Sequence, residues 1–267
     1  MNANKKPIGI FDSGLGGLTV LKELKKLLPH ETFIYFGDTA HLPYGNKSNE
    51  TIIQYSLKIS KFLISQNIKS IIIACNTASS VAFKVLQKQL QIPIFNVIDP
   101  CVVEALKLTK TNKIAVIGTE TTISSQAYQK KIRHLNKRTT IIAQPCPLFV
   151  PLVEEGLVNQ PFAQKITKFY FNKIIASTID TLILGCTHYP LMIKTIKKTI
   201  QKDIKIIDSS KITAKHIKQH YTNKSTQTTQ MQPNKDKFYV TDKPQKFNQL
   251  AKKFLETKNI KAKQITL

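Results

Sequence analysis

Short runs of Ile, Val, Leu and Phe alternate with amphipathic stretches along this chain. The apolar runs fall at residues 7–11, 32–36, 70–74, 93–97, 113–117, 139–143, 180–184 and 204–207. Most are unbroken rather than alternating, the pattern of parallel strands covered on both faces. Helical spacing appears between them at 18–28, 51–66, 79–89, 122–134, 163–175 and 191–201. Strand and helix taking turns predict a parallel, doubly wound α/β architecture. A polar stretch rich in Thr, Gln and Asn, 221–236, reads as a loop, and a strand at 238–240 and a helix at 246–256 follow it.

Recurring strand ends favour two sheets over one. Ile71-Ile-Ile-Ala-Cys75-Asn-Thr77 is similar to Leu182-Ile-Leu-Gly-Cys186-Thr-His188. Each is an apolar strand, a small residue, a cysteine and then a polar side chain. Ile8-Gly-Ile-Phe-Asp12-Ser13-Gly14 is likewise similar to Ile204-Lys-Ile-Ile-Asp208-Ser209-Ser210.

Composition narrows the class. With 267 residues, 42% hydrophobic and 21% charged, the chain has an ordinary globular balance, which excludes a disordered chain, a collagen and a coiled coil. No apolar run approaches the roughly 20 residues that span a bilayer. The apolar run after Met1-Asn-Ala-Asn-Lys-Lys-Pro stops at Asp12, too soon for a secretory signal. A cytoplasmic protein without membrane contact is expected. The formal charge of +24 raises the question of nucleic acid. Only Arg133 and Arg138 are arginines, and the lysines spread along the chain. Base readout and backbone clamping favour arginine, so nucleic-acid binding is not expected. A positive field still attracts a small acidic substrate.

Candidate chemistry gathers at the carboxyl ends of the expected strands, where open parallel sheets bind ligands. Asp12 and Ser13 follow the first, and Asp38 and Thr39 the second, with Pro43-Tyr44-Gly45 in the next loop. Cys75, Asn76 and Thr77 follow the third, Thr119 the fifth, and Cys186, Thr187 and His188 the seventh. A cysteine between a strand and a helix meets free N–H groups and a partial positive charge, which favour thiolate. Cys101 and Cys146 lie beside prolines and read as packing residues. Three chemistries suit Cys75 and Cys186. A redox pair would usually be C-x-x-C, and these are far apart in sequence. A zinc site could add His188 but lacks a local ligand pair. A pair of general bases facing each other across a carbon would invert a stereocentre, with Asp12 and His188 as neighbours. Gly14 and Gly16 begin a dinucleotide-like G-x-G-x-x-G, but Thr19 replaces the third glycine and Asp12 would repel a pyrophosphate. Ser13, Asn76, Thr77, Thr119 and Thr187 could donate to ligand carboxylates, although helix capping uses the same residue types.

Six segments, in order, carry a family resemblance. They are Ile10-Phe-Asp-Ser-Gly-Leu-Gly-Gly-Leu18, Gly37-Asp-Thr-Ala-His-Leu-Pro-Tyr-Gly45, Ala74-Cys-Asn-Thr-Ala78, and Val116-Ile-Gly-Thr119 with Thr122, Ser125 and Tyr128. Cys146-Pro-Leu-Phe-Val-Pro-Leu-Val-Glu-Glu-Gly156 and Gly185-Cys-Thr-His-Tyr-Pro190 complete the set. The chain resembles the glutamate racemases of the aspartate/glutamate racemase family. The resemblance implies two similar doubly wound domains, 1–97 with 210–267 and 98–209, and an active site in the cleft between them. It implies catalysis without metal or cofactor, a homodimer, and D-glutamate supplied to peptidoglycan synthesis. Cys75 would deprotonate D-glutamate with help from Asp12, and Cys186 L-glutamate with help from His188 and Glu154. Glu155 is adjacent and could take the place of Glu154. Ser13, Tyr44, Gly45, Asn76, Thr77, Thr119 and Thr187 would hold the substrate, with Asp12 and His188 lining the pocket. His41 departs from the Arg or Asn more usual in the family. An aspartate racemase or another two-cysteine enzyme acting on a small dicarboxylate is the nearest alternative, and a lysine-rich nucleic-acid-binding protein the alternative of another class.

Overall fold

Apolar side chains on both faces of the inner strands require covering on both sides, and the structure does this with two parallel sheets. The computed structural model describes residues 6–223, 236–257 and 260–267. The chain begins β1 (Ile8–Asp12), α1 (Leu18–Leu27), β2 (Phe33–Gly37), α2 (Asn49–Ser65), β3 (Ser70–Ile73), α3 (Asn76–Gln89), β4 (Ile94–Asn96) and α4 (Ile98–Leu108). It continues with β5 (Lys113–Gly118), α5 (Glu120–Ser124), α6 (Ala127–Leu135), β6 (Thr140–Pro145), α7 (Phe149–Glu154), α8 (Pro161–Ala176), β7 (Thr181–Gly185), α9 (Ile193–Ile200) and β8 (Lys205–Asp208). Then come α10 (Ser209–Asn223), β9 (Lys237–Val240), α11 (Pro244–Leu255) and β10 (Ala262–Gln264).

The first sheet has the order β10-β9-β2-β1-β3-β4 and the second β6-β5-β7-β8, with every pairing parallel. Odd and even positions of one strand feed different cores. Ile8, Ile10, Tyr35 and Ile72 pack with Leu21 of α1, Ile217 of α10 and Phe247 of α11. Phe11, Ile34, Phe36, Ile71 and Ile73 face the other way, onto Ile59 of α2 and Ala82 of α3. Ala115, Ile117, Leu182 and Leu184 meet α8 and α9, while Ile114, Val116 and Ile183 meet α4 and α6. Each fully buried Ile, Leu, Val or Phe among them contributes about 1.5–3 kcal/mol.

The four strands β2-β1-β3-β4 repeat the order β6-β5-β7-β8, so β3 and β7 are topological equivalents. Cys75 and Cys186 leave them at the same end. The similarity of 8–14 to 204–210 is no part of that repeat, because β1 corresponds to β5 and β8 to β4. Its cause is local. Gly14 N–H donates to Asp12 Oδ2 and Ser210 N–H to Asp208 Oδ1, both at 2.9 Å, so one turn chemistry arose twice.

Other departures have similar local causes. The helix expected over 122–134 is broken by Gln126, which takes a left-handed φ of 58°, while Ser125 Oγ accepts from Ala127 N–H at 3.2 Å. The expected loop at 221–236 begins inside α10, and 224–235 lie outside the described residues. Its last residue, Asp236, pairs with Lys25 and accepts from Phe33 N–H at 2.9 Å. Helices α4, α7 and α10 and strand β10 were not anticipated by periodicity.

The central pair of the second sheet is anchored at its far end by Asp180. Its carboxylate accepts from Thr109 Oγ1 at 2.6 Å and from Lys110 and Thr111 N–H at 2.7 and 2.8 Å. Burial works against the charge, but these bonds and one from Thr181 win and hold its pKa down at about 2. Asp180→Ala is expected to lower the unfolding free energy by about 1–3 kcal/mol in urea titrations at neutral pH. The folded value is depressed, so this contribution is present above the ordinary carboxylate pKa of 3.8 and is lost as pH falls through about 2.

Candidate active site

Each cysteine is placed by the end of a strand. Cys75 is the N-cap of α3, with extended backbone (φ −68°, ψ 124°), and its sulfur accepts from Ala78 N–H at 3.4 Å. Ser13 Oγ lies 3.7 Å from it. Cys186 follows β7, and its sulfur lies 3.8 Å from His188 Nδ1. His188 Nε2 in turn reaches Glu154 Oε1 at 3.2 Å, while Glu155 is exposed. Asp12 ends β1, fully buried, and accepts from Gly14 N–H and, at 3.4 Å, from Thr187 Oγ1.

The two half-sites touch through hydroxyls. Thr187 reaches across to Asp12, and Thr77 Oγ1 bonds Thr119 Oγ1 at 2.9 Å. Tyr128 O–H donates to Asn76 Oδ1 at 2.6 Å, and Thr121 Oγ1 to the Gly45 carbonyl at 2.9 Å. Thr119 also caps α5 through Thr122 N–H, so capping and cleft-lining coexist in one side chain. Close approach requires glycine at the seam. A Cβ on Gly16 would lie 2.2 Å from Thr187 Oγ1 and 2.7 Å from the His188 ring, and one on Gly45 would lie 2.8 Å from Thr119 Cβ. The Gly14–Gly17 loop is therefore filled by the opposite half of the chain, where a dinucleotide loop would receive phosphate.

Charge is buried on both sides of the seam. Burial raises the Asp12 pKa, opposed by the His188 charge, the Gly14 and Gly17 N–H groups and Thr187. Burial, joined by the negative charge of Asp12, pushes the Cys75 thiol up to about 12, although Ala78 N–H and Ser13 favour its thiolate. Burial disfavours the His188 cation, but its bonds to Cys186 and Glu154 and the charges of Cys186 and Asp12 prevail and raise it to about 10. An imidazolium beside the Cys186 sulfur supplies a counter-charge to a thiolate there. Burial is likewise the main cause that raises Cys101 and Cys146, both fully buried.

Tyr44 lies in a short 3-10 turn, Tyr44–Asn46, and its O–H donates to Asp38 Oδ2 at 2.6 Å. Asp38 Oδ1 also takes His41 Nδ1 at 2.7 Å and Thr241 Oγ1 at 2.8 Å, and the His41 ring stacks on Tyr55. Asp38, which the sequence marks by its place after β2, is thus part of the wall, together with Thr241, which has no local signal. Among the described residues no group of three or more His, Cys, Asp or Glu is arranged to hold a metal ion. A solvent-open pocket of about 150 Å³ adjoins the site, lined by Leu15, Leu42, Glu154, Asp242, Lys243 and Lys246 among others.

Two like-ordered parallel sheets with a matched pair of buried thiols at equivalent strand ends form the frame of a two-domain α/β protein. The chain belongs to the Asp/Glu/hydantoin racemase family, whose sequence pattern matches residues 13–217. A glutamate racemase of Geobacter metallireducens is 44% identical over 250 residues, 94% of this chain and 93% of that protein. The crystal structure of glutamate racemase isoform RacE1 from Bacillus anthracis superposes with a TM-score of 0.94 at 35% identity, covering 98% of each chain. That of a Francisella tularensis glutamate racemase in complex with D-glutamate gives 0.92 at 39%, also covering 98% of each.

The His188 charge makes a stability prediction. Its folded pKa lies above the ordinary 6.5, so its contribution is complete below about pH 6.5 and is lost as pH rises through about 10. The Tm difference between the unmodified chain and His188→Asn is expected to shrink across that window in thermal melts. A difference independent of pH would contradict the charge assignment.

Proposed function

We propose that this chain interconverts L- and D-glutamate without a cofactor, using Cys75 and Cys186 as bases on opposite faces of the α-carbon. The observation that carries this reading is the pair itself: two buried thiols at equivalent strand ends, each beside a different ionisable partner. In one direction the Cys75 thiolate takes the α-proton of D-glutamate. The electron pair left on carbon then takes a proton from the Cys186 thiol on the other face, giving L-glutamate. The enzyme is left with Cys75 protonated and Cys186 as thiolate, the state that runs the reverse reaction.

The α-proton is weakly acidic, so the developing charge must be met by fixed donors in a dry site. Ser13, Asn76, Thr77, Thr119 and Thr187 supply hydroxyl and amide groups there, and Tyr44 and Gly45 form the facing wall. Asp12 serves Cys75, and His188 held by Glu154 serves Cys186. The formal charge of +24 on the whole chain favours an acidic substrate. We read the chain as a cytoplasmic homodimer whose D-glutamate enters peptidoglycan precursors. Among the described residues no helix is long and apolar enough to cross a membrane.

Circular dichroism of D-glutamate mixed with the protein tests the reaction. The signal is expected to decay to zero, L-glutamate to converge on the same point, and D-aspartate to stay inert. A moving aspartate trace with static glutamate would keep the two-base chemistry and change the substrate. Two static traces from folded, reduced protein would end the racemase reading. Cys75→Ser and Cys186→Ser are each expected to lower kcat by about 10²–10⁴-fold, the range of general acid–base catalysis. Cys101→Ser is expected to retain activity, and the reverse pattern would sink the assignment.

A further inference from the structure

Tyr128 is a fully buried side chain with no part in the reaction as drawn above. It lies in the first turn of α6, just past the left-handed Gln126 that separates α6 from α5. It touches both half-sites. Its hydroxyl donates to Asn76 Oδ1 at 2.6 Å, and Asn76 directly follows Cys75. Its ring lies against Gly185, where a Cβ would come within 3.1 Å of Tyr128 Cε2, and Gly185 directly precedes Cys186.

The bond to Asn76 has a consequence for the amide. With Oδ1 engaged, Nδ2 is buried and has no partner among the described residues. Buried polar atoms are nearly always paired, so an amide held at one end and open at the other is an exception that calls for an acceptor. A carboxylate oxygen is such an acceptor. Burial, with the charges of Cys101, Cys186 and Asp99, raises the Tyr128 pKa well above the ordinary tyrosine value, so the phenol keeps the proton it donates.

We propose that Tyr128 is a positioning residue for the racemisation. Its hydroxyl fixes the Asn76 amide with Nδ2 offered to the substrate carboxylate, and its ring seats the strand end that carries Cys186. This rests on the glutamate reading above. Without the phenolic O–H the amide is free to turn over and offer its oxygen, which a carboxylate repels. The competent fraction then falls, and apparent affinity falls with it.

Tyr128→Phe in the full chain keeps the ring and removes only the hydroxyl. Steady-state kinetics from both glutamate enantiomers is expected to show KM raised about tenfold with kcat changed by less than about twofold. kcat/KM must fall equally in the two directions, because enantiomers have equal free energy. Added to Asn76→Ala, or to Asn76→Ser should the alanine variant not fold, Tyr128→Phe is expected to cost less than about twofold more. A Tyr128→Phe enzyme with unchanged KM overturns the proposal. So does a loss that multiplies in full onto that of the Asn76 variant, since it would place the role of Tyr128 in the fold alone. An unmodified chain inert toward both enantiomers overturns the glutamate reading and this proposal together. An active chain with normal Tyr128→Phe overturns this proposal alone.

Discussion

A handful of hydroxyl-centred hydrogen bonds closes one half of this molecule on the other, and the geometry of the site depends on them. Thr187 to Asp12, Thr77 to Thr119, Tyr128 to Asn76 and Thr121 to the Gly45 carbonyl all cross the seam between the two sheets. Each joins a residue next to one thiol, or in the wall facing it, to a residue of the opposite half. Individually such bonds contribute about 0.5–1.5 kcal/mol. Their weight lies in direction, because they fix which strand ends face each other. Gly16 lets the seam close, since any side chain there would collide with Thr187 and His188. The parallel sheets supply the rest, delivering Cys75 and Cys186 from equivalent strands to the same end of the fold.

The two half-sites are alike in fold and unlike in charge. Cys75 caps a helix and has Asp12 and Ser13 for neighbours, while Cys186 faces His188, which leans on Glu154. Burial in a low dielectric makes every uncompensated charge costly, so the network balances signs across the seam. His188 carries the positive charge that both Asp12 and Cys186 support. Burial and the charge of Asp12 push the Cys75 pKa up to about 12, so this thiol favours its protonated form. A substrate bringing an ammonium group and two carboxylates would add charges of its own to that balance.

Strand ends were legible because chemistry and fold coincide there. An apolar run stopping at Cys75-Asn-Thr77 or Cys186-Thr-His188 announces both a sheet edge and a polar cluster. Composition and spacing could not say that the clusters face each other, since that depends on seam contacts between residues such as Asp12 and Thr187, far apart in sequence. The α5–α6 break was hidden because Gln126 has no glycine-like mark, yet adopts φ 58°. Tyr128, placed by that break, was visible only as part of a matched segment. The false repeat between 8–14 and 204–210 shows the opposite error. Two aspartates closing the same turn look like a repeat in sequence, yet their strands hold different places in the two sheets.

An asymmetric site performing a symmetric reaction is physically consistent. L- and D-glutamate have equal free energy in water, so the equilibrium constant is one whatever the enzyme does. The ratio of kcat/KM in the two directions is fixed by that equality and cannot register the difference between Asp12 and His188. Those neighbours can act only on how the barrier is divided between bound ground states and transition states, that is, on kcat and KM separately. In the proposed two-base reaction, what must be matched is the position of the two sulfurs relative to one carbon, because proton transfer on either face needs hydrogen-bond reach. The repeated strand order supplies that match in backbone. The seam hydrogen bonds preserve it, which leaves the charged neighbours of each sulfur free to differ.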